Sequence, residues 1–313
     1  MSGPLVECVP NFSEGSDARR VQAIVSAMRV EGVRLLDRSM DAAHNRSIVT
    51  VAGEPGAVVE AAVRAVGKAA ELIDLTRQQG VHPRIGAADV IPFVPVSGIK
   101  LEQCALLARQ AGLEIWRRFG VPVYFYEAAA ARPDRANLED VRKGQFEGLR
   151  DLVRKEAARR PDLGGPGLHP TAGACAVGAR RFLVAYNIYF NSNDLTAVRA
   201  IAREIRAASG GLKGVSAIGV LAHGRAQLAM NIADFAATPL SVVYHKVEKL
   251  AQHHKVSLAE GEVTGLIPEA ACERESEWMR QLVEFDPATK ILERRLESPL
   301  PWPGEEPGSG SAD

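Results

Sequence analysis

Val33-Arg34-Leu35-Leu36-Asp37 and Ser47-Ile48-Val49-Thr50-Val51-Ala52 are two strand-like runs that follow one another with no helical pattern between them. Their setting decides the fold. Upstream, Leu5 to Val9 is a short apolar run ended by Pro10-Asn11 and the polar turn Ser13-Glu14-Gly15. Val21, Ile24, Val25 and Met28 then recur at helical spacing between the N-cap candidates Ser16 and Asp17 and a stop at Gly32. Downstream, Val59, Ala62, Val63, Val66 and Ala70 share one face of a helix over Val58 to Ile73. After a glycine and proline loop around His82, Val90 to Val96 reads as a further strand. The order β-α-β-β-α-β is the ferredoxin-like, or split βαβ, pattern. It is followed by a helix over Leu101 to Phe119 and a strand at Val123 to Tyr126.

The second half repeats the order. Strands are expected at Phe182 to Phe190, Val215 to Leu221, Gln227 to Ile232 and Val256 to Val263, with helices at Asp194 to Ala208 and Pro239 to Gln252. Residue identities hardly match between the halves, so any repeat is one of structure. The expected class is α/β (α+β), with domains at residues 1–180 and 181–298. The charged stretch from Ala130 to Pro161 reads as a helical connector between them. The Pro, Gly and Ser-rich tail, residues 299–313, is expected to be disordered.

At 313 residues the chain is long enough for two cores. Apolar residues make up 46% and charged residues 24%, an ordinary globular mixture. Lys plus Arg equals Asp plus Glu at 38 each, so no overall field draws the protein to nucleic acid or to an anionic membrane. Every apolar run is interrupted well before ~18 residues and the N-terminus lacks the pattern of a signal peptide, so a cytoplasmic protein is expected. Cys8, Cys104, Cys175 and Cys272 are far apart and form no CxxC pair, as expected of small buried residues in a reducing compartment.

Three segments carry candidate chemistry. His82 sits in Gly80-Val81-His82-Pro83-Arg84-Ile85-Gly86, a stiff loop between helix and strand. An unperturbed imidazole titrates near ~6.5, so it can take and return a proton at neutral pH, or it can merely brace its loop. Asp37, Asp41, His44, Asn45 and Arg46 cluster on the turn between the two opening strands. Asp41 could steady a cationic amidinium and Arg46 a carboxylate, or the cluster is turn chemistry with a salt bridge. Gly164-Gly165-Pro166-Gly167-Leu168-His169-Pro170-Thr171-Ala172-Gly173 lets a ligand approach the backbone closely, or forms a hinge.

Several other readings are excluded or demoted. Gly173 and Gly178 have P-loop spacing, but Ala179 stands where the lysine must be, and no Rossmann GxGxxG or GxSxG is present. His253-His254 are neighbours, with no HxH or HExxH pair, which leaves a zinc site assembled from His44, His82 and a distant carboxylate as the open metal alternative.

Taken together, the segments resemble the formimidoyltransferase family, known as the N-terminal part of an animal bifunctional enzyme with a cyclodeaminase and as separate bacterial enzymes. The likeness runs through Leu5-Val6-Glu7-Cys8-Val9-Pro10-Asn11-Phe12-Ser13-Glu14-Gly15, His44-Asn45-Arg46-Ser47 and His82-Pro83-Arg84-Ile85-Gly86-Ala87-Ala88-Asp89-Val90. It continues in Gly178-Ala179-Arg180-Arg181-Phe182-Leu183, Asn187-Ile188 and Leu212-Lys213-Gly214-Val215. The resemblance implies two ferredoxin-like βαββαβ subdomains with mixed sheets facing each other across a ligand groove, and a homodimer. It makes His82 the catalytic histidine, places Gly164 to Gly173 on folate, and sets Asp41 and His44-Asn45-Arg46 beside the transferring group. Animal members carry an aspartate where Ser39 stands here and a tryptophan near Ala172; Asp41 takes the aspartate's place in this reading. The cyclodeaminase part is missing from this sequence.

The implied reaction moves a formimidoyl unit from N-formimidoyl-L-glutamate to N5 of tetrahydrofolate, in histidine degradation. Tetrahydrofolate is a co-substrate, and no metal, nucleic acid or membrane is called for. Arg46, Arg84 and Lys213 are the candidate cations for the donor's carboxylates and the folate tail. Two neighbouring readings are transfer of a formyl group from 5-formyltetrahydrofolate to glutamate and a non-catalytic folate-binding protein. A third, metal-dependent amidine hydrolysis, would need no folate.

Overall fold

The computed structural model describes residues 3–305 except Ala43, Val81, His223 and Arg274. The chain divides into two compact units: one runs up to Arg180 and takes back the chain from Pro299, and the other is Arg181–Ser298. The first contains β1 (Leu5–Cys8), β2 (Asn11–Phe12), α1 (Ala18–Ala27), β3 (Val33–Asp41), β4 (Arg46–Gly53), α2 (Pro55–Leu72) and β5 (Ala88–Ser97). These are followed by α3 (Leu101–Phe119), β6 (Val123–Glu127), α4 (Leu138–Val141), α5 (Gln145–Lys155) and β7 (Cys175–Ala179). The second contains β8 (Val184–Phe190), α6 (Leu195–Ile205), β9 (Val215–Ala222), β10 (Arg225–Ile232), α7 (Leu240–His253) and β11 (Leu258–Thr264). Three short helices close it: α8 (Glu277–Arg280), α9 (Pro287–Lys290) and α10 (Leu292–Glu297).

In the first unit β4 pairs on one side with β3 and on the other with β1 and β2, which in turn pair with β5. All these pairings are antiparallel, so β3-β4-β1-β5 is the strand order of a ferredoxin-like unit. Pro10 interrupts the strand that begins at Leu5, because it has no N–H to give the ladder. Pairing resumes at Asn11, and that short continuation, not foreseen in the sequence, carries Asn11 to the start of β4. β7 and then β6 add parallel to the β5 edge, making this sheet mixed. In the second unit the order is β11-β8-β10-β9, antiparallel throughout, which is the same topology.

The helices form where the apolar stripe and the caps agree. Asp17 accepts from the backbone N–H groups of Arg19 and Arg20 to start α1, whose Val21, Ile24 and Val25 are buried. Asp194 caps α6 in the same way through Thr196 and Ala197. The core of the first unit lies between α1, α2 and α3 and one face of the sheet, around Phe12, Ile24, Val51, Val63, Phe93 and Val177. That of the second gathers Tyr186, Phe190, Ile201, Leu228, Val247 and Trp278.

Two expectations are corrected. The charged stretch after Ala130 does not link the units: Val141, Leu149 and Val153 bury themselves against Tyr124, Tyr126, Ile85 and Ala176, covering the second face of the first sheet. Its charges occupy the outer side of an amphipathic α5, which is why composition alone resembled a linker. Nor is the tail disordered over residues 299–305. Leu300 donates its N–H to the Leu35 carbonyl (2.8 Å), Leu300 and Trp302 pack on the first core, and Arg29 pairs with Glu305 at 2.6 Å. The remainder of that expected tail, residues 306–313, lies outside the described residues.

Candidate active site

The β3–β4 hairpin closes with Asp41 opposite Arg46, leaving a tight turn that holds His44 and Asn45. Asp41 shapes this turn: one carboxylate oxygen accepts the His44 backbone N–H (3.0 Å) and the other lies 2.5 Å from His44 Nδ1. Asn45 takes a left-handed conformation (φ 50°), which asparagine tolerates better than most residues. Its side chain accepts from Gly15 N (2.9 Å) and donates to the Gln79 carbonyl (2.7 Å), so the hairpin tip is tied to both the turn between β2 and α1 and the His82 loop. A Cβ on Gly15 would stand 2.1 Å from the Asp41 carbonyl oxygen, which accounts for glycine there. Glu14 beside it is buried, accepts from the backbone N–H groups of Ser16 and Asp17, and pairs with Arg20.

Arg46 is the hub. Its Nε and Nη2 donate to Asn11 Oδ1 (3.0 and 2.8 Å), and Nη1 donates to Asp89 Oδ2 (3.1 Å) while lying 2.8 Å from His82 Nδ1. The carboxylate that Arg46 meets is thus one of the protein's own. Asp89 is fully buried on β5; its other oxygen accepts the Ile85 N–H (2.8 Å), and Arg142, just past α4, donates to Oδ2 at 2.5 Å. Burial alone would raise the Asp89 pKa, yet Arg142 and Arg46 hold it below the usual carboxylate range. Burial pushes Arg46 down to about 10 despite that partner.

His82 is half-buried, with Nδ1 also 2.7 Å from the Pro83 carbonyl oxygen. Desolvation first, and then the charges of Arg46 and Arg142, push its pKa down to about 4, against a smaller pull from the Pro83 carbonyl and Asp89. The ring is therefore neutral across neutral pH, well away from the titration near ~6.5 that an isolated histidine would show.

Arg84 turns elsewhere. It is buried, donates to Glu147 (2.9 and 3.4 Å) and to the Gln78 carbonyl (2.9 Å), and its own carbonyl accepts from Phe146 N. That clamp fastens α5 to the His82 loop. Lys213 stands in the second unit, where its carbonyl accepts from Thr238 Oγ1 (2.7 Å).

The glycine-rich loop is pinned at its far end. His169 and Gly173 exchange backbone hydrogen bonds (2.8 and 3.0 Å), and His169 Nδ1 accepts from Ala172 N (3.0 Å). Thr171, Ala172 and Ala174 hydrogen-bond the backbone of Leu75, Ala87 and Ile85, so this end lies beside the segment that follows His82. Gly173 has φ 71°, and a Cβ there would sit 2.1 Å from the Ile85 carbonyl oxygen. Gly164 has φ 82° and packs on the Trp116 ring, while Gly165-Pro166 is cis.

His82, Arg46, Asn45 and the end of the glycine-rich loop are therefore neighbours within one unit. Asn11, Asp89 and Arg142 join them without having been singled out in the sequence. Asp89 carried a signal: a lone carboxylate inside Ala87-Ala88-Asp89-Val90-Ile91 must have a buried cation. Arg142 carried none, since it lies in the stretch misread as a connector. Among the described residues one trio can offer three metal-ligand atoms together: His245, Glu248 and Glu277, outside the His82 site.

Family models match nearly the whole chain: the formiminotransferase domain, N-terminal subdomain, over residues 5–180, and the formiminotransferase domain over residues 185–284. A glutamate formimidoyltransferase of Streptococcus pyogenes serotype M1 is 41% identical over 295 residues, covering 93% of this chain and 98% of that protein. One of Thermoplasma acidophilum is 42% identical over 298 residues, covering 94% and 97%. A formimidoyltransferase-cyclodeaminase of Gallus gallus is 41% identical over 276 residues, covering 85% of this chain and 51% of that longer protein.

Proposed function

Because this chain belongs to the formiminotransferase-domain family, we propose that it is a transferase that carries the formimidoyl group of N-formimidoyl-L-glutamate to N5 of tetrahydrofolate. The observation that carries the reading is 41–42% identity, over almost the full length of both partners, to proteins of that activity. In the reaction N5 attacks the amidine carbon, a tetrahedral carbon forms, and the bond to the glutamate nitrogen breaks. One proton leaves N5 and one reaches the departing nitrogen, with no change of oxidation state.

His82 is the proposed proton carrier. A neutral ring is what a base must be before it acts, and a ring whose cation is disfavoured gives the proton up readily to the leaving nitrogen. Such acid–base action is typically worth ~10²- to 10⁴-fold in rate. The rest of the acceleration comes from holding both substrates in line, worth several kcal/mol on the order of magnitude. Gly164 to Gly173 is the proposed folate contact, supported by the hydrogen bonds that join its end to the backbone after His82. Asp41 and His44-Asn45 are proposed beside the amidinium, and Lys213 as a cation for a carboxylate. Arg46 and Arg84, whose forks are engaged by Asp89, Asn11 and Glu147, act through the architecture instead. The reading extends to a cytoplasmic homodimer; no helix among the described residues is long and apolar enough to cross a membrane.

The test is a comparison of donors. Purified protein given tetrahydrofolate and N-formimidoylglutamate should form 5-formimidoyltetrahydrofolate, followed by absorbance, and release glutamate. Faster transfer of formyl from 5-formyltetrahydrofolate to glutamate would replace the donor assignment, and folate binding without transfer from either donor would overturn the enzymatic one.

A further inference from the structure

His82 Nδ1 lies 2.7 Å from the Pro83 carbonyl oxygen and 2.8 Å from Arg46 Nη1. The carbonyl can only accept and the guanidinium can only donate. A single ring nitrogen satisfies one of them at a time. With a proton on Nδ1 it donates to Pro83, and Nε2 presents the lone pair of a base. With Nδ1 accepting from Arg46, the proton is on Nε2 and the ring is a donor.

The charged groups facing His82 are Arg46 from β4, Asp89 from β5 and Arg142 after α4. Asp89 holds both guanidinium groups, at 3.1 and 2.5 Å. Two cations on one carboxylate leave a net positive charge beside the ring. Arg84, two residues along, is turned to Glu147 and contributes no contact.

Resting on the proton-carrier reading above, we propose that Arg46 is a positioning residue, held by Asp89 and Arg142, that competes with the Pro83 carbonyl for His82 Nδ1. It thereby sets which ring nitrogen carries the proton. In the Pro83-bonded form Nε2 takes the proton lost by N5. The resulting imidazolium keeps its Nδ1–H on Pro83, faces the Arg46 charge, and returns the Nε2 proton to the glutamate nitrogen, so the ring ends as it began. Arg46 favours the second half of that cycle by making the cation short-lived.

The experiment is a 15N NMR titration of the histidine side chains in the full-length protein, with the His82 signals assigned by their loss in His82→Gln. It requires no turnover, so it can succeed where the donor assay fails. Arg46→Met should move the neutral ring toward the Nδ1–H form and raise its titration midpoint by about one unit or more, as expected for loss of an adjacent like charge. Arg142→Gln should raise the midpoint while keeping the Arg46-bonded tautomer. Asp89→Asn, if it folds, should lower the midpoint. The acid limb of kcat/KM should move in the same directions. A midpoint and tautomer unchanged in both arginine variants would overturn the proposal, as would a shift of equal sign in Asp89→Asn and Arg46→Met.

Discussion

The imidazole of His82 is easier to keep neutral than to protonate, and this follows from its surroundings more than from its own chemistry. With a pKa near 4 in the folded state against ~6.5 unfolded, the unfolded chain binds the extra proton between those values. Stability therefore falls as pH drops from about 6.5 toward 4, and above 6.5 this group has no effect. Replacing His82 by Gln should flatten that part of the stability-against-pH curve, measured by thermal unfolding at fixed salt; an unchanged slope would show that the ring is not held neutral. The sequence made His82 a candidate through its stiff loop, but the depression of its pKa was not legible there. It depends first on burial and then on Arg46 and Arg142, which lie far along the chain and are both held by Asp89.

At the scale of elements, the β3–β4 hairpin and the two loops after α2 and before β7 form one hydrogen-bonded assembly, and glycines permit the approach. Gly173→Ala combines a left-handed φ of 71° with a Cβ 2.1 Å from the Ile85 carbonyl oxygen. It should cost more than the ~1 kcal/mol of an ordinary backbone penalty and lower activity by displacing the Ile85–Ala87 segment, read by denaturant unfolding and by kcat. Retained stability and kcat would show that the loop gives way easily. Alternation and helical spacing located most of the long elements, and α3 was foreseen over its full length. β7 was not, because Cys175-Ala176-Val177-Gly178-Ala179 is small and apolar on both faces. Alanine and glycine carry little strand preference, yet small side chains let the Tyr126 ring press against Gly178.

Across the whole molecule, the same β-α-β-β-α-β order builds both units, and pattern was enough to read it because the two helices of that order pack on a face of their own sheet in each half. Identity within the pattern is free to diverge. The terminal segment is the exception to reading by composition: the seven proline-rich residues 299–305 return to the first unit through Leu300 and Trp302. Replacing both by Ala should destabilise that unit by roughly 2–4 kcal/mol, on the order expected for two partly buried side chains. Thermal unfolding indistinguishable from the parent would mean that the return adds nothing.

The most direct measurement compares wild type with His82→Gln for formation of 5-formimidoyltetrahydrofolate from N-formimidoylglutamate, at neutral pH and over a range of folate concentrations. The account predicts a kcat lower by about 10²- to 10⁴-fold with the folate KM changed only a few-fold. A variant that turns over like wild type would contradict it.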